Sequence, residues 1–191
     1  MSNLTAKEIW QLVAKRVRVP LGFLFAGIYF WLARPTVHSL LASIVLIIPG
    51  IALRAYASGY VKKNAELTTT GPYAYTRNPL YLGSMLIAFG FAAASRSVGI
   101  FIALAVLFAL IYWPTIQGEE KYLRAHFSTF DAYAQRVPRL LPLRFLRVKK
   151  ESRQTPCSFS WALYLQHREY NSVLGSSILF LALIARMIWK H

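Results

Sequence analysis

The sequence is short of acid: of 191 residues only seven are Asp or Glu, against 22 Lys and Arg. No apolar run contains a carboxylate, and no pair of interrupted helices recurs in two halves, which argues against an ion-coupled transporter. Cysteine is nearly absent as well. Cys157 stands alone, without a Cys or His neighbour at metal-ligand spacing, so an internal disulfide is excluded and the thiol is read as inert. No Ser, Cys or metal constellation stands out, and no internal repeat or low-complexity tract is visible. Only residues 144–156, RFLRVKKESRQTP, look like a linker. No small-residue cleavage site follows the first apolar run after Trp31 to Ala33, so that run is expected to be a span rather than a leader.

What the chain has in excess is apolar surface and positive charge. Hydrophobic residues make up 56% of it and the mean hydropathy is +0.40, above the roughly 45–50% apolar content of soluble domains. This is the composition of a membrane protein. In that setting the formal charge of +15 belongs to cytoplasmic loops rather than to a nucleic-acid-binding face, and no nucleic acid partner is expected. Five apolar segments, 19–33, 37–56, 80–95, 98–116 and 173–189, compare with the roughly 20 residues a helix needs to cross the hydrocarbon. The first and third are short, and either recruit flanking Trp, Tyr and Arg at the interface or enter only part way. The expected fold is an all-α polytopic membrane bundle of about five transmembrane helices plus a cytoplasmic interfacial amphipathic helix. It forms a single domain, 1–191, with N-terminal spans in 1–61, a core in 62–142, and a linker, interfacial helix and C-terminal span in 143–191.

Orientation follows from the basic residues. With the N-terminus inside, the inner segments carry Lys7, Lys15, Arg16, Arg18, Lys62, Lys63, Arg77 and ten more between Lys121 and Arg168, 17 in all, against Arg34, Arg96 and Lys190 outside. The positive-inside rule therefore puts the N-terminus and any site built on the inner loops in the cytoplasm, in the plasma or inner membrane if the source is bacterial. Arg54 and Arg186 fall within or near the ends of spans, where they either snorkel to the interface or meet a buried partner.

Two stretches break the apolar pattern on the inner side. Residues 70–83, TGPYAYTRNPLYLG, combine a Gly-Pro turn signal with Asn78-Pro79, the form of a helix start with Asn as N-cap and Pro in the first turn. A helix N-terminus there suits an anionic group, and Tyr73, Tyr75 and Tyr81 offer aromatic faces and hydroxyls; an ordinary interfacial aromatic belt would look the same. Residues 117–142, QGEEKYLRAHFSTFDAYAQRVPRLLP, place Leu123, Phe127, Phe130 and Val137 at helical spacing, predicting an amphipathic helix that runs from the fourth span until Pro138. At its start Glu119 and Glu120 are two of only seven acids. They are either a solvated pair compensated by Lys121 and Arg124, or a source of carboxylate facing the pocket under the 70–83 stretch, as a base or as a partner for a cation.

The pairing of G-x-Y-x-x-x-R-[HN]-P-x-Y-x-G with a downstream E-E-x-x-L-x-x-x-F-x-x-x-x-x-Y-x-x-x-V-P-R, across one helical hairpin, resembles the isoprenylcysteine carboxyl methyltransferase and phospholipid methyltransferase superfamily of integral membrane enzymes. The matching residues run from about Leu67 to Pro142, which makes 62–142 a methyltransferase-like core. The resemblance implies S-adenosyl-L-methionine as cofactor. Tyr73 would lie against it, Asn78, Pro79, Leu80 and Tyr81 would wrap it, and the strand-like residues Ala65, Glu66, Leu67 and Thr68 would contribute. Glu119, with Glu120 adjacent, would supply a carboxylate to its amino acid portion. Arg77 joins Glu119 and Glu120 as a catalytic candidate; it would bind the cofactor carboxylate, pair with an acid, or anchor among head groups. Two departures bear on the substrate: Asn78 stands where the isoprenylcysteine branch commonly has His, and Thr115 stands where that branch has an Arg before the acid. A prenylcysteine carboxylate is thereby put in doubt. His126, beside Phe127, is read as interfacial.

The resemblance implies in-line transfer of a methyl group from a sulfonium to a lipophilic acceptor, an isoprenoid, lipid or similar small hydrophobic molecule, that enters from the bilayer between the third and fourth spans. Membrane lipids are the other expected partners, and the pattern does not fix an oligomeric state. Two alternatives stay open: an NADPH-dependent, sterol-reductase-like oxidoreductase, and a non-catalytic lipid-binding protein of the same fold.

Overall fold

The computed structural model describes residues 16, 20, 23–62, 66–141 and 158–189, and their regular structure is entirely helical. Helices α1 (Phe23–Leu32) and α3 (Pro79–Ser95) are short and apolar. Helix α2 (Val37–Ser58), the continuous helix Val98–His126 and α8 (Tyr170–Trp189) are long and apolar enough to cross a membrane. The continuous helix comprises α4 (Val98–Leu107), a π-helical turn over Phe108–Tyr112, and α5 (Trp113–His126); α6 (Phe130–Arg136) and α7 (Trp161–Gln166) are short. All five apolar segments of the sequence are thus helices in a membrane helical bundle. Their outward faces stay apolar: Leu174, Ile178, Leu181 and Trp189 on α8 are exposed, as on a helix solvated by hydrocarbon. The linker-like stretch 144–156, Cys157 and Ala65 lie outside the described residues.

The closest helix pair is α2 with α3, and small residues make it so. A Cβ added to Gly83 would sit 2.8 Å from the carbonyl oxygen of Gly50, one on Gly50 would sit 2.8 Å from that of Gly83, and one on Gly90 would meet Ile47 at 2.6 Å. Backbone approach of this kind is what holds helices together where lipid removes the hydrophobic driving force. Beside Arg34, Arg96 and Arg186 the pair is pinned by Ser39 Oγ donating to the Ala94 carbonyl at 3.0 Å and by the Arg34 amide on Ser95 O at 3.1 Å. Arg186 of α8 closes that end, donating to Ala33 O at 2.8 Å and Trp31 O at 2.6 Å. At the opposite end, Arg54 lies one turn beyond Gly50 and finds a carboxylate. Its guanidinium grips Glu169 through Nε to Oε2 at 3.0 Å and NH2 to Oε1 at 2.9 Å, and also donates to Ser172, Ser84 and Leu80 O. Of the two readings for these arginines, Arg54 takes the buried partner and Arg186 the backbone carbonyls.

Three local expectations are corrected. The single amphipathic helix predicted over 117–138 is two helices: α5 ends at His126, Phe127 turns extended at φ −127° and ψ 109°, and α6 restarts at Phe130. The bend lets Phe130, Tyr133 and Val137 gather against Leu67, Leu123 and Phe127 as a small core, which a straight stripe along the membrane surface would leave unpaired. Of residues 65–68, expected to be strand-like, the described ones, 66–68, have no strand; they are tied by side-chain contacts instead of a ladder. Pro79 does open α3, but Asn78 makes no side-chain cap. Its side-chain amide is turned to Glu120 instead.

Candidate active site

The site forms where the turn before α3 meets α5. Gly71 takes φ +59°, a left-handed conformation that glycine adopts freely, and a Cβ there would strike the Tyr60 ring at 2.7 Å. The turn over Gly71–Ala74 buries Tyr73. Its carbonyl accepts from the Tyr133 hydroxyl at 2.7 Å, which ties the turn to α6. The segment after α6 seals the other side: Pro138 O accepts from the Arg77 amide at 2.9 Å and Arg139 O accepts from Thr76 Oγ1 at 3.3 Å. Burial pushes the Tyr73 phenol above its ordinary range, Tyr133, Glu119 and Glu169 push the same way, and Arg54 opposes them. Tyr73 is therefore a neutral phenol in a neighbourhood that holds two carboxylates.

The adjacent glutamates have different surroundings. Glu120 is buried, at 4% exposure, and works as the hub of a clasp. Oε2 accepts from Arg139 Nε at 3.0 Å and NH2 at 2.8 Å, Oε1 lies 3.3 Å from Arg77 NH1, and Asn78 Nδ2 donates to Oε1 at 3.4 Å and to Arg139 O at 2.9 Å. The orientation that gives the Asn78 NH2 group to Glu120 and Arg139 O keeps its oxygen off the first-turn amides, so no cap forms. Burial lowers the Arg77 pKa, with Glu120 opposing, and Arg77 Nε is buried without a hydrogen-bond partner. Glu119, on the next face of α5, is only half buried and accepts from the Tyr81 hydroxyl at 2.8 Å. Tyr81 in turn meets Tyr112 edge to face, with ring centroids 5.9 Å apart.

The sequence-predicted residues therefore divide. Tyr73, Tyr81 and Glu119 share one neighbourhood, while Glu120, Arg77 and Asn78 bind one another beside it. Pro79 is fully buried, and Leu80 contributes its carbonyl to Arg54 and Ser84. The residues before the turn are held by other partners: Glu66 pairs with Lys62 at 3.0 Å on the exposed surface, Leu67 packs on the α6 core, and Thr68 bonds Tyr60 O and the Lys62 amide. Thr115 is buried and donates back to Ile111 O at 2.7 Å, so it presents nothing to a ligand carboxylate. His126 stacks on Tyr122, consistent with an interfacial place.

Sequence reasoning missed Arg139, Tyr112 and the Arg54–Glu169 pair. Arg139 belongs to the V-P-R triplet that ends the second motif, and with seven acids for 22 cations a conspicuous acid pair is bound to collect distant arginines. Glu169 lies 115 residues from Arg54, and no local pattern carries such a pairing. Among the described residues no group of three or more His, Cys, Asp or Glu is gathered for a metal ion. An apolar cleft of about 460 Å³ between Thr36, Val37, His38, Met187 and Ile188 lies at the Arg186 end, remote from these groups.

Comparison with known proteins bears on this arrangement. Over 128 residues the chain is 34% identical to the cobalt-zinc-cadmium resistance protein CzcN of Cupriavidus metallidurans, covering 67% of this chain and 54% of that one. It is 40% identical over 87 residues to the nickel-cobalt-cadmium resistance protein NccN of Alcaligenes xylosoxydans xylosoxydans, covering 46% and 40% of the two chains. With the protein-S-isoprenylcysteine O-methyltransferase of Schizosaccharomyces pombe it shares 30% identity over 128 residues, covering 64% and 48%. The chain spans about half the length of the curated relatives it matches. No solved structure matches it. A phospholipid methyltransferase family model matches residues 17–129, more than half of the chain and the whole run from α1 through the Tyr73 turn to Glu119 and Glu120, and the chain belongs to that family.

Proposed function

We propose that the protein is a membrane methyltransferase that uses S-adenosyl-L-methionine and acts on a lipophilic acceptor reaching the site from the bilayer. The observation that carries this reading is the Tyr81–Glu119 pair beside the buried Tyr73 turn, within the part of the chain that the family covers. The groups present fit such a cofactor. A half-exposed carboxylate with one oxygen engaged by Tyr81 suits an ammonium or hydroxyl, tyrosine faces suit a sulfonium cation, and the first turn of α3, uncapped by any side chain, suits a carboxylate. Tyr73, Tyr81 and Glu119, with the backbone amides of the first turn of α3, are the groups assigned to hold it. When bound, it supplies an activated methyl group.

The chain's own contribution is alignment and exclusion of water. Holding donor and acceptor in near-attack geometry can lower a barrier by at most about 7–11 kcal/mol. The Glu120 clasp, by fixing Asn78, Arg77 and the end of α6 to α5, makes the geometry around Glu119 rigid. Tyr81 orients Glu119 Oε1 and leaves the second oxygen as the atom that would take a proton from a hydroxyl or thiol acceptor; an amine or carboxylate acceptor asks for no strong base. Glu120 and Arg77, occupied with each other, are positioning groups in this reading. The excess of Lys and Arg on the segments that build the site favours a cytoplasmic active site in a multi-pass protein, with Arg34 and Arg96 at the opposite end.

Binding of labelled S-adenosylmethionine, and separately of NADPH, to protein purified in detergent tests the reading. It expects saturable binding of the first, lost in both Tyr81→Ala and Glu119→Ala. Binding of NADPH in its place would make the chain an oxidoreductase, and binding of neither would leave a non-catalytic lipid-binding protein. Incubation of a membrane lipid extract with the labelled donor, followed by mass identification of the methylated product, would then name the acceptor.

A further inference from the structure

The helix running from Val98 to His126 changes its winding at one place. Over Phe108–Tyr112 it adopts a π-helical turn, and the Trp113 amide bonds back to Phe108 O, five residues away, rather than to Ala109, four away as in an α-helix. The cause lies two residues on: Pro114 has no N–H to donate into the preceding turn and its ring crowds the carbonyl there, so a widened turn before it relieves both. Single π turns of this kind recur at functional sites because they re-aim side chains. Here the re-aimed residue is Tyr112, neighbour to the proposed active site.

Tyr112 stacks on Phe108, with ring centroids 5.2 Å apart and planes 5° from parallel, and sets its ring at 84° to Tyr81. Tyr81 ends the series on Glu119. Phe108, Tyr112 and Tyr81 thus form an aromatic column along the facing sides of α3 and the Val98–His126 helix, leading from the apolar part of the bundle to the one half-exposed carboxylate of the acid pair. Farther along the same two helices Phe89 and Phe101 meet at 5.0 Å and close them together. The next residue is used differently: Trp113 carries the Arg139 guanidinium 5.0 Å above its ring.

We propose that Tyr112, presented by the π turn and backed by Phe108, is the specificity-determining residue for the acceptor's hydrocarbon tail. The ligand class is an amphiphile with an extended apolar chain, which lies along the Phe108–Tyr112 wall while its nucleophilic head reaches Tyr81 and Glu119. This rests on the methyltransferase reading and deepens it. The ring carries the contact, because a flat aromatic face packs against methylenes with few rotamers to freeze, and the hydroxyl is dispensable.

The test uses the full chain in lipid nanodiscs, with two probes. A long-chain alkylamine bearing a mid-chain diazirine is photolysed with the protein and the labelled peptides are mapped; labelled S-adenosylmethionine binding is measured on the same samples. The expected result is labelling at Phe108 and Tyr112 that excess non-photoreactive alkylamine removes, beside labelling of lipid-facing Ile188 and Trp189 that it does not. Tyr112→Ala should weaken the protected labelling about tenfold, and Tyr112→Phe should keep it, with cofactor affinity changed less than about twofold in both. Labelling at Phe108 and Tyr112 that is absent or unsaturable in a protein that binds the cofactor overturns the tail-wall assignment. Tyr112→Ala losing cofactor affinity in step with the label overturns it as well, since Tyr112 would then support the cofactor side. Saturable labelling in a protein that binds no cofactor keeps the hydrocarbon site and overturns the methyltransferase reading alone.

Discussion

Glu119 and Glu120 are neighbours in sequence with opposite surroundings, so one conservative change at each should separate stability from activity. Glu120→Gln keeps the side-chain shape but turns an NH2 group toward guanidinium donors. Three cations or amides lose their acceptor charge: Arg77, whose side chain is 12% exposed, Arg139, 33% exposed, and Asn78. Removing one partner of a buried pair costs about 3–5 kcal/mol. Arg139 can turn partly to water and retains Trp113 beneath it, so its share is discounted and the whole comes to about 2–4 kcal/mol. For a chain of this size each kcal/mol moves the midpoint by about 2–4 °C, giving a fall of roughly 5–15 °C. Glu119→Gln keeps an oxygen for the Tyr81 hydroxyl and loses only the carboxylate charge at a half-exposed site, which costs under about 1.5 kcal/mol, yet it should abolish cofactor binding. Thermal unfolding of the detergent-purified variants, followed by tryptophan fluorescence, reads the first quantity, and labelled-donor binding well below either midpoint reads the second. If Glu120→Gln melts with the wild type, or Glu119→Gln is destabilised as much as it, the division of labour drawn from the geometry is wrong.

Tyr81→Phe removes the hydroxyl that orients Glu119 and should weaken donor binding about tenfold with an unchanged melting midpoint; equal affinity in titrations would remove Tyr81 from the site. For Arg54 and Glu169, each single change to a neutral side chain (Arg54→Met, Glu169→Gln) should destabilise by about 2–4 kcal/mol. The double variant should cost less than the sum of the two, and an additive double-mutant cycle would refute the coupling. Gly83→Ala places a methyl group 2.6 Å from Arg54 Cγ and 2.8 Å from Gly50 O. It should cost about 1–3 kcal/mol as α2 and α3 are forced apart, which a melting curve in the same detergent would register.

Much of the helix layout follows from local chemistry. Runs of apolar residues long enough for hydrocarbon have no stable option but helices, since lipid offers no partner for an unpaired amide. Asn78-Pro79 marks the start of α3 because Pro has no N–H to lose in a first turn, and the scarcity of acid makes Glu119 and Glu120 conspicuous in the sequence alone. The same local logic fails where a distant group competes. The Asn78 side chain is a natural cap by its sequence, yet in the fold its NH2 group serves the buried Glu120 carboxylate, and that orientation keeps its oxygen off the first-turn amides. The stripe Leu123, Phe127, Phe130 and Val137 has helical spacing throughout, yet the chain bends at Phe127 to build a core with Leu67, a residue the pattern gives no reason to place there. Which glutamate stays half exposed is likewise a tertiary matter: adjacent residues on a helix point about 100° apart, and only the arrival of Arg77 and Arg139 decides that Glu120 is buried and Glu119 left with Tyr81. By itself the sequence determined a basic, acid-poor helical membrane bundle with a polar knot beside an acid pair. The tertiary structure decided which acid is clasped, which tyrosine reaches the other, and that α8 is locked to α2 through Arg54, because charges and hydroxyls choose partners by distance and dielectric rather than by position in the chain.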